Sequence, residues 1–194
     1  MNAPAQLFLR AKHWQLFLPS FAYGLLGDVL VVYVTTKVAN STAALQVSAI
    51  ANAVVTVPFM IAVLLWYWSV GSFLYSIAPP TLRPNIGFFR FALIFPPIYM
   101  FAFFMIVLKI GSPLLVLVLP LHFFAMYCLL YNLYFLSKSL RLVEKRQPVS
   151  FSDYAGAFLL FWFFPIGVWF IQPKINRLYG KLRPTPWLDI ATAG

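Results

Sequence analysis

The chain has 194 residues, of which 62% are apolar and 9% are charged, and its formal net charge is +10. A soluble domain is roughly 45–50% apolar and about 25% charged, and at about 150 residues it still leaves about 30% of its unfolded surface exposed. This composition excludes a soluble enzyme, a disordered tail and a disulfide scaffold, and it predicts an all-α integral membrane protein.

Four apolar segments reach the length of roughly 20 residues that a membrane-spanning helix needs. They are residues 14–34, 47–75, 91–110 and 114–136. We predict four transmembrane helices at these positions, with a tight turn at Gly111–Pro113 between the third and the fourth. The fourth helix is expected to continue beyond the membrane as far as Arg146. Leucines recur there at helical spacing, at Leu133, Leu136 and Leu140.

A fifth apolar segment, residues 154–172, is interrupted near its middle by Pro165 and Gly167. Proline removes a helix hydrogen bond, so the sequence predicts a break at this point. Ser150 and Asp153, just before the segment, match the capping-box pattern that begins a helix.

The distribution of basic residues favours a fifth segment that turns back. With the N-terminus inside and five spans, eight cations lie inside and six outside. If the segment turns back, the basic tail (residues 173–194) joins the inner side, and the division becomes twelve against two. The positive-inside rule favours this arrangement. We therefore predict one membrane domain, residues 1–194, with four spanning helices and a fifth proline-broken segment that is re-entrant or interfacial. A fifth span is the alternative, because the backbone of a re-entrant turn must be buried in protein.

Two ionisable residues fall inside the predicted spans, and such residues are default candidates for function because burying them is costly. Asp28 lies in the first span and His122 in the fourth. Paired across a bundle they would form an ion or proton pathway, since a carboxylate raises the proton affinity of a nearby imidazole. The alternative is that each is a structural group with its own hydrogen-bond partner.

Other positions suggest packing or docking. Ser48, Ala49 and Ala53 form a small-residue seam on the second span, which permits close helix approach. Basic residues near the end of the fourth helix and in the tail are expected to contact anionic headgroups or a partner protein, rather than nucleic acid. These residues are Lys138, Arg141, Lys145, Arg146, Lys174 and Arg177.

Motifs of enzyme chemistry are not found in the sequence. There is no HExxH, no GxSxG and no glycine-rich nucleotide loop, and the single cysteine, Cys128, excludes a CxxC pair. We therefore assign no catalytic residue, no metal and no cofactor, and favour a protein that is not an enzyme. A bound lipid or quinone against the phenylalanine-rich segments is kept as an alternative.

Two motifs carry a resemblance. The sequence KHWQ begins at Lys12, and FFPIGVWFIQPKIN runs from Phe163 to Asn176 and includes Gln172. Together they resemble uncharacterised small bacterial polytopic inner-membrane proteins. The resemblance implies a bacterial inner-membrane location but no activity, while the distribution of basic residues is what predicts an N-terminus inside.

The sequence thus predicts a non-catalytic accessory, assembly or structural subunit of a bacterial membrane complex. The first alternative is a small transporter or channel component that uses Asp28 and His122. The second is a protein that handles lipid or quinone.

Overall fold

The computed structural model describes residues 3–38, 44–110 and 115–181. Within these residues the chain forms seven α-helices and no strand. The helices are α1 (Ala3–Arg10), α2 (His13–Val38), α3 (Ala44–Ile77), α4 (Ile86–Ile110), α5 (Leu115–Lys145), α6 (Phe151–Trp162) and α7 (Phe164–Lys181).

Four of these helices are long and apolar enough to cross a membrane, as the sequence predicts. The stretches concerned are His13–Lys37, Ile50–Ile77, Ile86–Phe103 and Val118–Lys145. The predicted continuation of the fourth helix is confirmed as far as Lys145, one residue before Arg146, and its protrusion from the membrane stays a prediction. Helix α1 is not among the predicted elements. The predicted turn at Gly111–Pro113 and the tail beyond Lys181 lie outside the described residues.

The chain divides into two compact units. The first comprises Met1–Trp66 and Phe163–Gly194, and the second comprises Tyr67–Trp162, so that α3 contributes to both. That the whole chain acts as one membrane domain stays a prediction.

In the second unit, α4 and α5 pack through an aromatic seam. The Phe89 and Phe135 rings stack with their centroids 4.1 Å apart, and both side chains are fully buried. Gly71 of α3 lies against the Phe89 ring. A Cβ at this position would stand only 2.5 Å from Cζ of Phe89. Cys128 is buried, which agrees with its interpretation as a small core residue.

The end of α3 is held by the guanidinium of Arg83. Its Nε donates to the carbonyl of Ala78 at 2.9 Å, and one terminal nitrogen donates to the carbonyl of Ser76 at 3.2 Å. Its charge also lies over the Tyr75 ring, 5.0 Å from the centroid. Because the last carbonyls of a helix have no partner within the helix, Arg83 stabilises this terminus.

The predicted capping pattern before the fifth segment is confirmed. The backbone N–H of Ser150 donates to Oδ2 of Asp153 at 2.8 Å, and the Ser150 hydroxyl donates to the same oxygen at 3.0 Å. Lys145 at the end of α5 forms an ion pair with the other carboxylate oxygen. Arg146 follows with a φ of 55°, in the left-handed conformation that commonly ends a helix. The connection from α5 to α6 is therefore organised around one carboxylate.

This arrangement predicts a pH-dependent stability. The hydrogen bond from Lys145, followed by those from the backbone and hydroxyl of Ser150, lowers the pKa of Asp153 from 3.8 to about 2. A depressed carboxyl pKa contributes stability above the unfolded-state value and loses it as the pH falls through the folded-state value. The wild type should therefore have a higher melting temperature than Asp153→Asn at pH 7, and this difference in melting temperature should vanish between pH 4 and pH 2. Thermal unfolding in detergent measures it.

Two lysine variants test the cause. Lys145→Met removes the strongest hydrogen bond to Asp153 and should move the acid transition to higher pH. Lys138→Met is the matched control, because Lys138 instead donates to the Tyr134 hydroxyl at 2.7 Å. An identical acid transition in the wild type and in Lys145→Met would contradict the assignment.

The predicted break in the fifth segment is confirmed at Phe163, between α6 and α7. Pro165 lies in the first turn of α7, where its missing N–H removes no hydrogen bond. The Phe163 carbonyl accepts from the N–H of Gly167 at 2.7 Å, and the Phe161 carbonyl accepts from the Tyr67 hydroxyl at 2.7 Å. Carbonyls on both sides of the break thus have partners, which a break at membrane depth requires.

Candidate functional site

A buried amide on α7 organises the first unit. Gln172 has no exposed surface. Its Oε1 accepts from the indole N–H of Trp66 at 2.9 Å. Its Nε2 donates to the carbonyls of Phe8 and Ala11, at 2.8 and 2.9 Å, and contacts Oδ1 of Asn176 at 2.9 Å. Asn176 in turn donates to the Ala11 carbonyl at 3.1 Å. We call these five residues the Gln172 cluster.

The cluster closes the C-terminal end of α1. The last four carbonyls of a helix have no intrahelical partner, and the carbonyls of Phe8 and Ala11 lie at or just beyond the end of α1. Gln172 and Asn176 are four residues apart on α7, so both project from one face. These hydrogen bonds join both amides to other groups of the protein, so the role they indicate is to hold α7 against the end of α1.

Aromatic contacts extend this junction to α2. The Trp169 ring lies 4.5 Å from the His13 ring and 5.3 Å from the Phe17 ring, measured between centroids. The N–H of Lys12 donates to Oε1 of Gln15 at 2.8 Å, which caps the start of α2. The structure therefore brings into contact the two motifs that carry the sequence resemblance, KHWQ and FFPIGVWFIQPKIN.

Asp28 lies in a cleft of the first unit. The cleft has a volume of 390 Å³, and the exposed carboxyl group of Asp28 is part of its lining. A second cleft of 200 Å³ shares Tyr23 and Phe59 with it and continues toward Pro19. The lining residues of the larger cleft are Phe21, Tyr23, Gly24, Leu25, Asp28, Val55, Thr56, Phe59 and Pro165.

Helices α2 and α3 approach closely beside Asp28. A Cβ on Gly27 would stand 2.2 Å from a methyl of Val55, so only glycine permits this distance. One turn earlier, the Tyr23 hydroxyl donates to the carbonyl of Val54 at 2.6 Å. The close approach is thus centred on Gly27. In the predicted small-residue seam, Ser48 is half-buried and Ala53 is exposed, and the side chain of Ala49 lies outside the described part of the structure. The seam stays a prediction.

His122 lies in the second unit. Its Nδ1 is 3.2 Å from the Tyr99 hydroxyl, and its ring is 6.2 Å from that of Phe103. Asp28 belongs to the first unit, so a joint ion or proton pathway stays a prediction. The contact with the Tyr99 hydroxyl agrees with the alternative interpretation, in which His122 is a structural group with its own hydrogen-bond partner.

The predicted docking cations differ in their partners. Arg141 forms an ion pair with Glu144 at 2.5 Å. Lys145 pairs with Asp153, and Lys138 contacts the Tyr134 hydroxyl. Arg146 and Arg177 are exposed, and Lys174 is half-buried. Their contact with headgroups or a partner stays a prediction.

Neither a metal-binding cluster in the described residues nor a similar known protein points to a function for this chain. Across residues 3–38, 44–110 and 115–181, no three His, Cys, Asp or Glu side chains lie close enough together to hold a metal ion. No family model matches the chain, and searches of curated proteins and of solved structures return no match.

The sequence indicated part of the Gln172 cluster and missed the rest. Gln172 and Asn176 both lie in the FFPIGVWFIQPKIN motif, at the polar end of the fifth apolar segment. Trp66, Phe8 and Ala11 carried no such signal, because the contributions of Phe8 and Ala11 are backbone carbonyls. The useful signal is the i, i+4 spacing of two amides on one helix face.

Proposed function

We propose that this protein is a non-catalytic accessory or assembly subunit of a bacterial membrane complex, and that it binds its partner through α2 and α3. The observation that carries the proposal is the sparse packing of these two helices. Only 6% of the most apolar stretch of α2 is buried within the protein, and 11% of that of α3. The corresponding share is 28% in both α4 and α5.

Polar residues on α3 support a protein partner over lipid alone. Ser48, Asn52 and Thr56 recur every four residues on one helix face, and the last two are exposed. The Asn52 amide donates to the carbonyl of Ser48 at 2.9 Å, within its own helix. Lipid solvates leucine and valine well, but small and polar residues stabilise contacts between helices. This stripe therefore favours another transmembrane helix as its neighbour.

The proposal includes a topology. We infer that the N-terminus lies on the inner side of a bacterial inner membrane and that the fifth segment is re-entrant. Asp153 at the start of α6 pairs with Lys145 at the end of α5, and Trp169 of α7 contacts His13 at the start of α2. With four spans, the start of α2 and the end of α5 face the same side. The fifth segment would then begin and end on that side, which agrees with the positive-inside rule.

Co-purification tests the partner. Ala53→Phe places a large ring beside the polar stripe, and Ala102→Phe makes the same change at an exposed position of α4. Each variant is tagged, extracted in mild detergent and analysed by mass spectrometry for bound membrane proteins. We expect Ala53→Phe to lose at least tenfold of the partner recovered with the wild type, and Ala102→Phe to retain it. Isolation of the wild type as a monomer without other membrane proteins would contradict the proposal.

Cysteine labelling tests the topology. In a Cys128→Ala background, single cysteines at Arg10, Lys37 and Lys181 report on three termini of described helices. We expect Lys181→Cys and Arg10→Cys to react from the same side of the membrane with an impermeant maleimide, and Lys37→Cys from the opposite side. Reaction of Lys181→Cys together with Lys37→Cys would show that the fifth segment spans.

A further inference from the structure

Asp28 is a carboxyl group in the interior of a candidate membrane span, His13–Lys37. It lies nine residues before Lys37, the end of the span, which is about 13 Å at 1.5 Å per residue. The hydrocarbon core of a bilayer is about 30 Å thick, so a spanning α2, as proposed above, places Asp28 well inside the core. An acidic side chain here is costly, and its usual compensation is a cation or a proton.

No cation of the described chain neutralises Asp28. The ion pairs formed within residues 3–38, 44–110 and 115–181 are Arg141–Glu144 and Lys145–Asp153, and both involve other acids. Asp28 instead lines the 390 Å³ cleft of the first unit. That volume falls within the range of roughly 300–1,000 Å³ that is typical of small-molecule sites.

The walls of the cleft offer too few oxygen ligands for calcium. Calcium takes about six to eight oxygen ligands, whereas the side chains in the lining offer Asp28 and the hydroxyls of Thr56 and Tyr23. The Tyr23 hydroxyl already donates to the Val54 carbonyl. The remaining lining is mostly apolar, so a bound cation would need an apolar surface of its own.

The same walls suit an organic cation. Phe21, Tyr23 and Phe59 contribute three aromatic rings to the same lining as the Asp28 carboxyl group. Aromatic faces attract cations, and quaternary ammonium groups are often bound in such surroundings. The smaller cleft continues from Tyr23 and Phe59 toward Pro19 and Ala62, which extends the apolar surface away from the charge.

We propose that this cleft binds a hydrophobic organic cation, with Asp28 neutralising its charge and the rings of Phe21, Tyr23 and Phe59 enclosing its apolar body. This inference is independent of the proposed subunit function, because it concerns the isolated chain. It assigns Asp28 a role that does not need His122.

Equilibrium binding of tetraphenylphosphonium to the purified full-length protein tests this proposal. Asp28→Asn preserves the shape of the side chain and removes its charge, and Glu144→Gln is the matched control outside the cleft. We expect Asp28→Asn to weaken binding at least tenfold and Glu144→Gln to leave it unchanged. Phe59→Leu should weaken it severalfold, because one aromatic face is lost.

A neutral probe and a stability measurement complete the test. Triphenylphosphine oxide has a similar apolar body without charge, so it should bind weakly and equally to the wild type and Asp28→Asn. Both proteins should also melt at similar temperatures. Equal binding of tetraphenylphosphonium to the wild type and Asp28→Asn would overturn the proposal. The proposal would also be overturned if the protein did not bind the probe and Asp28→Asn lost the proteins that co-purify with the wild type. Asp28 would then pair with a basic residue of a partner helix.

Discussion

Replacing Gln172 with leucine is expected to destabilise the protein by about 2–6 kcal/mol, since each buried polar group left without a partner costs about 1–3 kcal/mol. The indole N–H of Trp66 and the carbonyl of Phe8 would both lose their hydrogen bonds to the amide. The Ala11 carbonyl would keep its bond from Asn176. Unfolding in a denaturing detergent titration measures the loss. Hydrogen exchange should rise first in residues 3–12, because α1 is attached to α7 through this amide.

Gln147 provides the matched control. It is exposed between α5 and α6, so Gln147→Leu removes the same functional group without stranding a buried partner. This variant should unfold within about 0.5 kcal/mol of the wild type. Equal stability of Gln172→Leu and Gln147→Leu would show that the Gln172 cluster does not hold α1.

Replacing Gly71 with alanine is expected to cost about 2–3 kcal/mol, toward the upper end of the range for overpacked cores. The added Cβ would lie 2.5 Å from Cζ of Phe89 and 3.3 Å from Cδ2 of Leu136. Neither neighbour can move easily, because both are fully buried and Phe89 is stacked on Phe135. The clash outweighs the gain of up to about 1 kcal/mol that alanine has over glycine within a helix.

Gly156→Ala is the control for Gly71→Ala. Gly156 lies within α6, and a Cβ there would meet nothing within 4 Å. This variant should be neutral or stabilised, because only the helix-propensity gain remains. The two variants are compared by unfolding in the same detergent. A Gly71→Ala protein as stable as Gly156→Ala would contradict the packing described for α3, α4 and α5.

Strong local signals explain the parts of the fold that could be predicted. A long apolar run can satisfy its backbone in a membrane only as a helix, so all four candidate spans could be placed from the sequence. The interruption near Pro165 and the cap formed by Ser150 and Asp153 follow from backbone chemistry that acts over a few residues. These elements needed no knowledge of what packs against them.

Contacts between distant residues were much less predictable. Trp66 and Gln172 are separated by 106 positions, and Gln172 and Phe8 by 164. No local pattern relates such positions. The seam proposed at Ser48, Ala49 and Ala53 and the observed close approach at Gly27 are both small-residue features. The sequence does not rank them, because a small residue permits close approach without specifying the partner.

The sequence by itself determined the class of this protein, its four candidate spans and the position of the break in its fifth segment. Each of these follows from hydrophobicity or from the backbone chemistry of single residues. Only the tertiary structure decided that Gln172 closes the end of α1, that Gly71 accommodates a stacked aromatic pair and that Asp28 lines a cleft. The physical reason is that hydrogen-bond satisfaction, close packing and cavities depend on which distant side chains and carbonyls meet, and that is settled by packing.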